Sequence, residues 1–237
     1  DNLQDLNVTD VFYKGKLVDR NAPIRVKTCG RALKHTVHLD KVKAEQFVLP
    51  IGKKKTHVIG INPSQITTED LAVSLQPAAN YVPTDGYSKV AAVERHHNTG
   101  KIGVAVAKGY GIRNGAVASS VSHDSHNIIV IGDNDRDMAL AVDEIIRTQG
   151  GYTVVENGEV FETLPLPIMG LMSDAGFESV NETLGRMIKK AHEMGVPADF
   201  EPFITLSFLA LPVIPTLRIT PRGLCLLTAK GPEILQE

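Results

Sequence analysis

Apolar and polar positions along this chain follow two different periods, which separate predicted strands from predicted helices. Four apolar runs of strand length lie between residues 89 and 132, in KVAAVERHH, KIGVAVAKGYG, GAVASSV and NIIVIG. Near the start, VFYKGKLV (11–18) places two short apolar arms around Lys14-Gly15, which predicts a hairpin. YTVVENGEVFETLP predicts another hairpin, because its Asn-Gly pair suits a type I′ turn.

Two other segments repeat their apolar residues at intervals of three and four, as an amphipathic helix does. NDRDMALAVDEIIRTQGG (134–151) predicts a helix that Asp133 or Asn134 caps and that its closing glycines end. A second helix is predicted to begin at Ser179, because Glu182 three residues later completes a capping box. Its apolar stripe ends before the sequence GVP.

Strands outnumber helices in the prediction. FITLSFLALPVIPTLRIT (203–220) has the composition of strands that two prolines interrupt. Hairpins also outnumber helical crossovers, which predicts an α+β fold with a mixed or antiparallel sheet and covering helices. Loop-forming residues concentrate in PAANYVPTDGYS (77–88), and we predict the boundary of the main domain near or slightly before this segment.

Composition and charge exclude several classes of function. The 237 residues are 43% hydrophobic and 22% charged, and the formal net charge of −2 leaves no basic footprint for nucleic acid. The apolar runs are far shorter than a membrane span. Cys29 and Cys225 are isolated, which argues against a disulfide framework and favours a cytoplasmic protein. The chain opens on DNLQDLN without Met, so we expect it to be the later portion of a longer polypeptide.

A polar patch between two predicted strands is the main candidate for chemistry. SVSHDSHN (120–127) contains His123, Asp124, His126 and Asn127. Imidazole ligates zinc, manganese and iron, and a neighbouring carboxylate serves as a ligand or orients the imidazole. The same groups are also able to hold a polar ligand by hydrogen bonds, or to form only a solvated turn, which Asp, Ser and Asn favour. All three interpretations stay open.

A second polar cluster, ERHHN (94–98), follows another predicted strand. Neighbouring strands lie about 5 Å apart, so the two clusters meet if their strand ends share one rim of the sheet. Adjacent His96 and His97 would point to opposite faces, and at most one of them is expected to join. The binding candidates are Glu94, His96, His123, Asp124, His126 and Asn127. His123 and His126 are the candidate metal ligands.

Other motifs give weaker signals. His35 and His38 repeat the spacing of three, but a surface strand explains them better than a ligand pair. KGYGIRNG (108–115) is glycine-rich and lacks the framework of a phosphate-binding loop. LPLPIMGLMS (164–173) is interpreted as core or as a subunit contact. The absence of GxSxG and of HxE…PCxxC argues against a serine-hydrolase elbow and the zinc cytidine-deaminase type.

Several unusual blocks together resemble the carboxy-terminal domain of the bacterial and archaeal adenine deaminases of the amidohydrolase superfamily. The blocks are VERHHNTGKIGVAVAKGYGIRNGAVASSVSHDSHNIIVIGDNDRDMALAV, LPLPIMGLMS and PFITLSFLALPVIPTLRITPRGL. The opening DVFYKGKLV also resembles the strand with which amidohydrolases re-enter their small β-sandwich after the barrel. The resemblance implies three parts: a short β-sandwich remnant (1–30), a connector with short strands (31–85) and the carboxy-terminal α+β domain (86–237).

The resemblance implies deamination of adenine to hypoxanthine and ammonia, a reaction of purine metabolism. In that family manganese or iron in a (β/α)8 barrel activates the attacking water. The barrel ligands begin with a His-x-His pair, and no two histidines of this chain are separated by one residue. We therefore expect the catalytic residues to lie in a barrel outside this chain, and the chain alone to be inactive.

The partners implied by the resemblance are adenine, the amidohydrolase barrel and further copies of the chain in a homo-oligomer. Two alternatives belong to other classes of function. One is a non-catalytic module for oligomerisation or accessory binding, to which the apolar LPLPIMGLMS and FLALPVIP would contribute a contact surface. The other is an independent metal hydrolase built on the histidine cluster.

Overall fold

The structure is a computed structural model that describes residues 4–22, 29–52, 54–84 and 86–235. Its strands are β1 (Phe12–Tyr13), β2 (Lys16–Leu17), β3 (Thr56–Ile61), β4 (Thr68–Val73), β5 (Tyr87–Val93), β6 (Ile102–Lys108), β7 (Gly115–Ser119), β8 (Ile128–Gly132), β9 (Gly151–Glu156), β10 (Glu159–Pro165), β11 (Leu217–Thr220), β12 (Gly223–Thr228) and β13 (Gly231–Ile234). Its α-helices are α1 (Asp135–Thr148), α2 (Phe177–Glu193) and α3 (Pro202–Phe208), and short 3-10 helices span Arg31–Lys34 and Ala44–Phe47.

Eight of the strands form one mixed sheet in the order β10-β9-β7-β8-β5-β6-β3-β4. The β3–β6 pair is parallel, and the other neighbouring pairs are antiparallel. Central strands β7 and β8 are buried at every position, because both faces of the sheet are covered. The predicted α+β fold with a mixed sheet is confirmed.

Helix α1 covers one face of the sheet. Met138, Ala141, Val142 and Ile145 are fully buried at the predicted helical spacing, and burial of each large aliphatic side chain contributes about 1.5–3 kcal/mol. The side chain of Asn134 caps the helix by accepting a hydrogen bond from the third helical residue. The predicted helix is confirmed, and of the two predicted cap residues, Asp133 and Asn134, Asn134 is the cap.

The opposite face carries α2, α3 and the separate antiparallel sheet β11-β12-β13. Helix α2 begins at Phe177, so the prediction of a start at Ser179 is wrong. Gly176 occupies the cap position in an extended conformation and makes no side-chain cap. The chain enters the helix before Ser179, which therefore lies within the first turn, where a capping box with Glu182 cannot form.

The prediction of strands throughout 203–220 is also wrong in its first half, which forms α3. Pro202 occupies the first turn of α3, where a missing N–H costs nothing, and the Glu201 carboxylate accepts a hydrogen bond from the Ile204 N–H. Phe203 and Leu206, three residues apart, are buried against the sheet. Strand structure resumes at β11, as predicted.

Both predicted hairpins form. Lys14 and Gly15 adopt positive φ angles of 50° and 75° between β1 and β2, which make a separate two-stranded sheet. Asn157 and Gly158 adopt 52° and 82° between β9 and β10, as a type I′ turn requires.

The proposed division of the chain at residue 85 stays a prediction. Strands β3 and β4 precede that point and pair into the same eight-stranded sheet as the strands that follow it. The 1–30 assignment to a β-sandwich remnant also stays a prediction, and residues 23–28 within it lie outside the described residues. Within the described ranges, no helix has the length and apolar character needed to cross a membrane.

Candidate functional site

Strand register brings the two predicted polar clusters together. Strands β5 and β8 are antiparallel neighbours, and Val93 at the end of β5 lies opposite Ile128 at the start of β8. The segment 94–97 therefore leaves the sheet at the edge where 122–127 enters it. The two clusters therefore share one rim of the sheet.

Glu94 holds its own loop in shape. Its carboxylate accepts hydrogen bonds from the backbone N–H groups of His96 (2.6 Å), His97 (3.0 Å) and Thr99 (3.1 Å), and from the Thr99 hydroxyl (2.9 Å). Burial opposes ionisation of Glu94, but these four donors outweigh it and lower the pKa to about 2. With its acceptors occupied, Glu94 is available to a ligand only if the loop rearranges.

His96 links the two loops, and His97 does not. The Nε2 atom of His96 lies 2.8 Å from the backbone carbonyl oxygen of Ser125, so a proton on Nε2 makes the hydrogen bond. The His97 side chain is 81% exposed. One histidine of the pair joins the cluster, although the reason differs from the sequence argument: β5 ends at Val93, so both lie beyond the strand, where its alternation no longer applies.

His123 and His126 lie in one turn with their ring centroids 6.3 Å apart. His123 packs against the ring of Phe208 on α3 at 4.9 Å, and its Nδ1 lies 3.5 Å from a carboxylate oxygen of Asp124, a residue exposed to solvent. The Nδ1 atom of His126 is buried and has no hydrogen-bond partner among the described residues. His126 therefore presents an unused polar atom.

The electrostatic environment favours a neutral His126. Burial disfavours the imidazolium, and the positive charge of Arg95 adds to that effect, so both lower the pKa of His126 below its usual range. His123 acts in the same direction. A neutral imidazole keeps one nitrogen lone pair, which is able to accept a hydrogen bond or ligate a metal.

Asn127 connects the two loops of the cluster through a hydrogen bond. The residue is buried, and its side-chain oxygen accepts a hydrogen bond from the backbone N–H of Arg95 at 3.3 Å. Asn127 thus ties the start of β8 to the end of β5. Its side-chain oxygen is engaged within the protein.

Arg95 connects the segments around the cluster, a role that the sequence does not indicate. The side chain is 1% exposed and donates hydrogen bonds to the carbonyl oxygens of His126, Thr36 and Met169, the last two at 3.0 Å. Among the described residues it has no carboxylate partner. Burial lowers the pKa of Arg95 to about 10, which leaves the guanidinium charged at neutral pH.

Close packing around the guanidinium fixes its position. A Cβ placed on Gly170 would lie 2.9 Å from both terminal nitrogens of Arg95, so the turn after LPLPIM requires glycine there. The φ of Gly170 is +70°, a second reason for glycine. In the sequence, Arg95 lies among charged residues and so gave no signal of burial.

Helix α3 holds the other side of the histidine turn. The backbone N–H of His123 donates to the carbonyl oxygen of Ser207 at 3.2 Å, and the Ser207 hydroxyl donates to the carbonyl oxygen of Val121. The turn is therefore fixed between Arg95 and α3. Rigid mounting of this kind is typical of loops that bind ligands.

The described residues form no metal centre with three or more protein ligands. They include no group of three or more His, Cys, Asp and Glu side chains arranged to hold a metal ion. His123 and His126 together supply two imidazoles, which is fewer than the three protein ligands usual in a catalytic zinc site. Metal binding by His123 and His126 stays a prediction.

The two weaker sequence candidates are the histidine pair His35 and His38 and the segment LPLPIMGLMS. His35 and His38 are exposed, but they flank irregular backbone instead of forming the expected surface strand. In LPLPIMGLMS, Leu164 and Leu166 are buried in the core and Met172 is 51% exposed. The segment therefore supplies both core packing and exposed apolar surface.

Comparisons with known proteins agree on one family. The family model described as the adenine deaminase C-terminal domain matches residues 65–230. The adenine deaminase of Desulfitobacterium hafniense (strain Y51) is 49% identical over 226 residues, and that of Nitratidesulfovibrio vulgaris (strain DP4) is 44% identical over 230. Adenine deaminase 2 of Carboxydothermus hydrogenoformans is 40% identical over 230 residues.

These matches cover most of this chain and a smaller part of each relative. Each of the three alignments spans 94% of the chain and 40% of the relative. The chain thus spans about 40% of the length of the curated relatives it matches.

Proposed function

The chain belongs to the adenine deaminase C-terminal domain family, and from that membership we propose that it is the carboxy-terminal part of an adenine deaminase. The reaction would be hydrolysis of adenine to hypoxanthine and ammonia in purine metabolism. The observation that carries this proposal is the 49% identity to an adenine deaminase over 94% of the chain.

We propose that the metal-bearing catalytic barrel lies outside this chain. Two observations support this: no three-ligand group occurs among the described residues, and the sequence lacks a His-x-His pair. A divalent ion, manganese or iron, would supply the activated water in that barrel. The chain alone would then be inactive, and its residues would act by positioning.

The histidine cluster is the part of this chain that we assign to that role. It consists of Glu94, His96, His123, Asp124, His126 and Asn127, and we propose that it faces the mouth of the barrel or a subunit interface. There the free Nδ1 of His126 would accept a hydrogen bond from a group that enters the site. Arg95 and α3 hold the turn in place, and the buried Nδ1 becomes accessible to such a group when the His126 ring moves.

Substitution in the full-length polypeptide tests this assignment. We expect the double variant His123→Ala, His126→Ala to lower kcat/KM for adenine while the protein stays folded. His57→Ala is the matched control, because His57 lies on β3 and pairs with Asp70 instead. Unchanged kinetics, metal content and assembly in the double variant would leave the cluster as only a structural turn.

A non-catalytic role in oligomerisation is the second candidate. Met169 and Met172 are 43% and 51% exposed, which places apolar side chains on the surface next to the turn that Arg95 holds. A homo-oligomer would bury such surface. Light scattering of the purified chain tests this role, and a monomer at high concentration argues against it.

The independent metal hydrolase is the third candidate, and the absence of a three-ligand group in the described ranges counts against it. Metal analysis of the chain together with an adenine assay decides it. For localisation we propose the cytoplasm, which rests on the two isolated cysteines.

A further inference from the structure

A cavity of about 420 Å³ lies beside the histidine cluster, between the β5–β6 loop and the sheet β11-β12-β13. Its size falls within the usual range of small-molecule pockets, about 300–1,000 Å³. Pro212, Pro221, Pro232 and Ile234 supply most of its apolar lining, and Cys225 is also part of the wall. No residue of the cavity other than Glu94 belongs to the cluster described above.

Close backbone packing builds the walls of this cavity. A Cβ on Gly103 of β6 would lie 2.0 Å from the carbonyl oxygen of Thr220 and 2.9 Å from the Cα of Gly223, so β6 meets the β11–β12 turn without room for a side chain. The β5–β6 loop is closed by a hydrogen bond from the Glu94 N–H to the Lys101 carbonyl oxygen at 3.0 Å. The cavity therefore lies between two tightly held turns.

Two positively charged side chains without a partner among the described residues lie at the rim of the cavity. Lys101 and Arg222 line the cavity and are exposed, and within the described parts of the chain neither side chain forms a hydrogen bond or an ion pair. The one acidic lining residue, Glu94, already accepts four hydrogen bonds from its own loop. Burial raises the pKa of the Cys225 thiol, so the thiol is neutral and adds no negative charge.

We propose that this cavity binds a small amphipathic anion, with its apolar body against the prolines and Ile234 and its carboxylate or phosphate between Lys101 and Arg222. Two cations beside an apolar wall match such a ligand in both shape and charge. A cation of the same shape would meet the like charges of Lys101 and Arg222, and the one lining carboxylate, Glu94, already accepts four hydrogen bonds from its own loop. The proposal stands independently of the deaminase assignment.

Two probes that share an aromatic ring and differ in charge test the proposal. Phenyl phosphate and benzylamine are each titrated into the ¹⁵N-labelled 237-residue chain, and amide chemical shifts are followed. We expect phenyl phosphate to shift the amides of 94–101, 220, 222–225 and 233–234, and benzylamine to leave them unchanged. Benzoate in a third titration distinguishes a carboxylate from a phosphate as the preferred head group.

Removing the two cations should weaken phenyl phosphate binding selectively. The double variant Lys101→Ala, Arg222→Ala should raise Kd roughly tenfold, the order expected for two exposed ion pairs. The matched control is Lys54→Ala, Lys230→Ala, which removes the same charge from exposed positions outside the cavity. We expect the control to bind like the unmodified chain.

Three results would overturn the proposal. They are shifts confined to other surfaces, equal shifts with benzylamine, and equal weakening in the cavity and control variants. If the alanine variant does not fold, Lys101→Gln with Arg222→Gln replaces it, since both residues are exposed and glutamine keeps most of the side-chain length. None of these results depends on adenine turnover, so failure here leaves the proposed function unaffected.

Discussion

Replacement of Arg95 by alanine should loosen the candidate site before the whole domain unfolds. The guanidinium is fully buried and joins four segments, because it belongs to the β5–β6 loop and donates to His126, Thr36 and Met169. Its removal leaves these three carbonyl oxygens without that partner. Each buried group left unsatisfied costs about 1–3 kcal/mol.

The sum of those costs is partly offset. An unpaired buried cation carries a desolvation penalty of several kcal/mol, which the alanine variant no longer has to meet. Water that enters the space left by the side chain would also satisfy some of the carbonyl groups. We therefore expect a net loss of about 3 kcal/mol in the free energy of unfolding, within the range for broken buried networks.

Urea denaturation and amide hydrogen exchange measure the two parts of this prediction. The urea midpoint should fall for Arg95→Ala and stay within error for Arg136→Ala, an exposed arginine on α1. Hydrogen exchange should accelerate first in 121–127 and 168–170. A loss below about 0.5 kcal/mol, the range of ordinary surface substitutions, would refute the argument. Uniform acceleration across the sheet would refute the local part of it.

Three further predictions follow from the same contacts. Gly170→Ala should destabilise the chain by about 1–3 kcal/mol, because a Cβ meets the Arg95 guanidinium and the positive φ disfavours alanine; a urea midpoint equal to that of the unmodified chain would contradict it. Glu94→Gln should cost about 1–2 kcal/mol near neutral pH. The folded pKa of Glu94 lies below its usual 4.5, so the stabilisation is complete above the unfolded pKa and is lost as the pH falls towards 2. The urea midpoints of the variant and the unmodified chain should therefore converge near pH 2. A difference between the midpoints that does not change with pH would exclude the carboxylate as the cause. Metal analysis after dialysis against manganese tests the predicted ligands: His123→Ala, His126→Ala should lower bound metal if they bind an accessory ion, and equal metal content would remove that assignment.

The local parts of the fold were predictable from the sequence. The Asn157-Gly158 turn, the Asn134 cap and the stripe of α1 each depend on a few consecutive residues, so the chemistry that forms them is visible in the sequence. The four central strands were also identified, because their apolar runs are short and bounded by polar turns. The exact start of α2 was not, since Gly176 and Ser179 both satisfy helix-start preferences and packing decides between them.

Helix α3 is not predictable from the sequence for a different reason. PFITLSF (202–208), which forms α3, has only two polar residues, Thr205 and Ser207, so no polar face reveals the helical period. The buried positions Pro202, Phe203, Leu206 and Ser207 show that period, and burial depends on the sheet against which the helix packs. The segment was therefore assigned by composition, which favoured strand.

The sequence predicts that two loops meet at the site, but it does not predict the hydrogen bonds that connect them. Two polar clusters at strand ends suggested a shared rim, and the pairing of Val93 with Ile128 supplies it. Arg95 acts through partners 59, 31 and 74 residues away along the chain, and no local pattern encodes such contacts. The hydrogen bonds that occupy Glu94 were likewise invisible, because they depend on the path of the loop.

An adenine assay of the purified 237-residue chain, supplied with manganese or iron, tests the central claim most directly. We expect no hypoxanthine above the blank from this chain, and turnover from the polypeptide that also carries the barrel. Repeated turnover by the chain alone, proportional to its concentration and abolished by His123→Ala, His126→Ala, would contradict the claim that catalysis resides outside these residues.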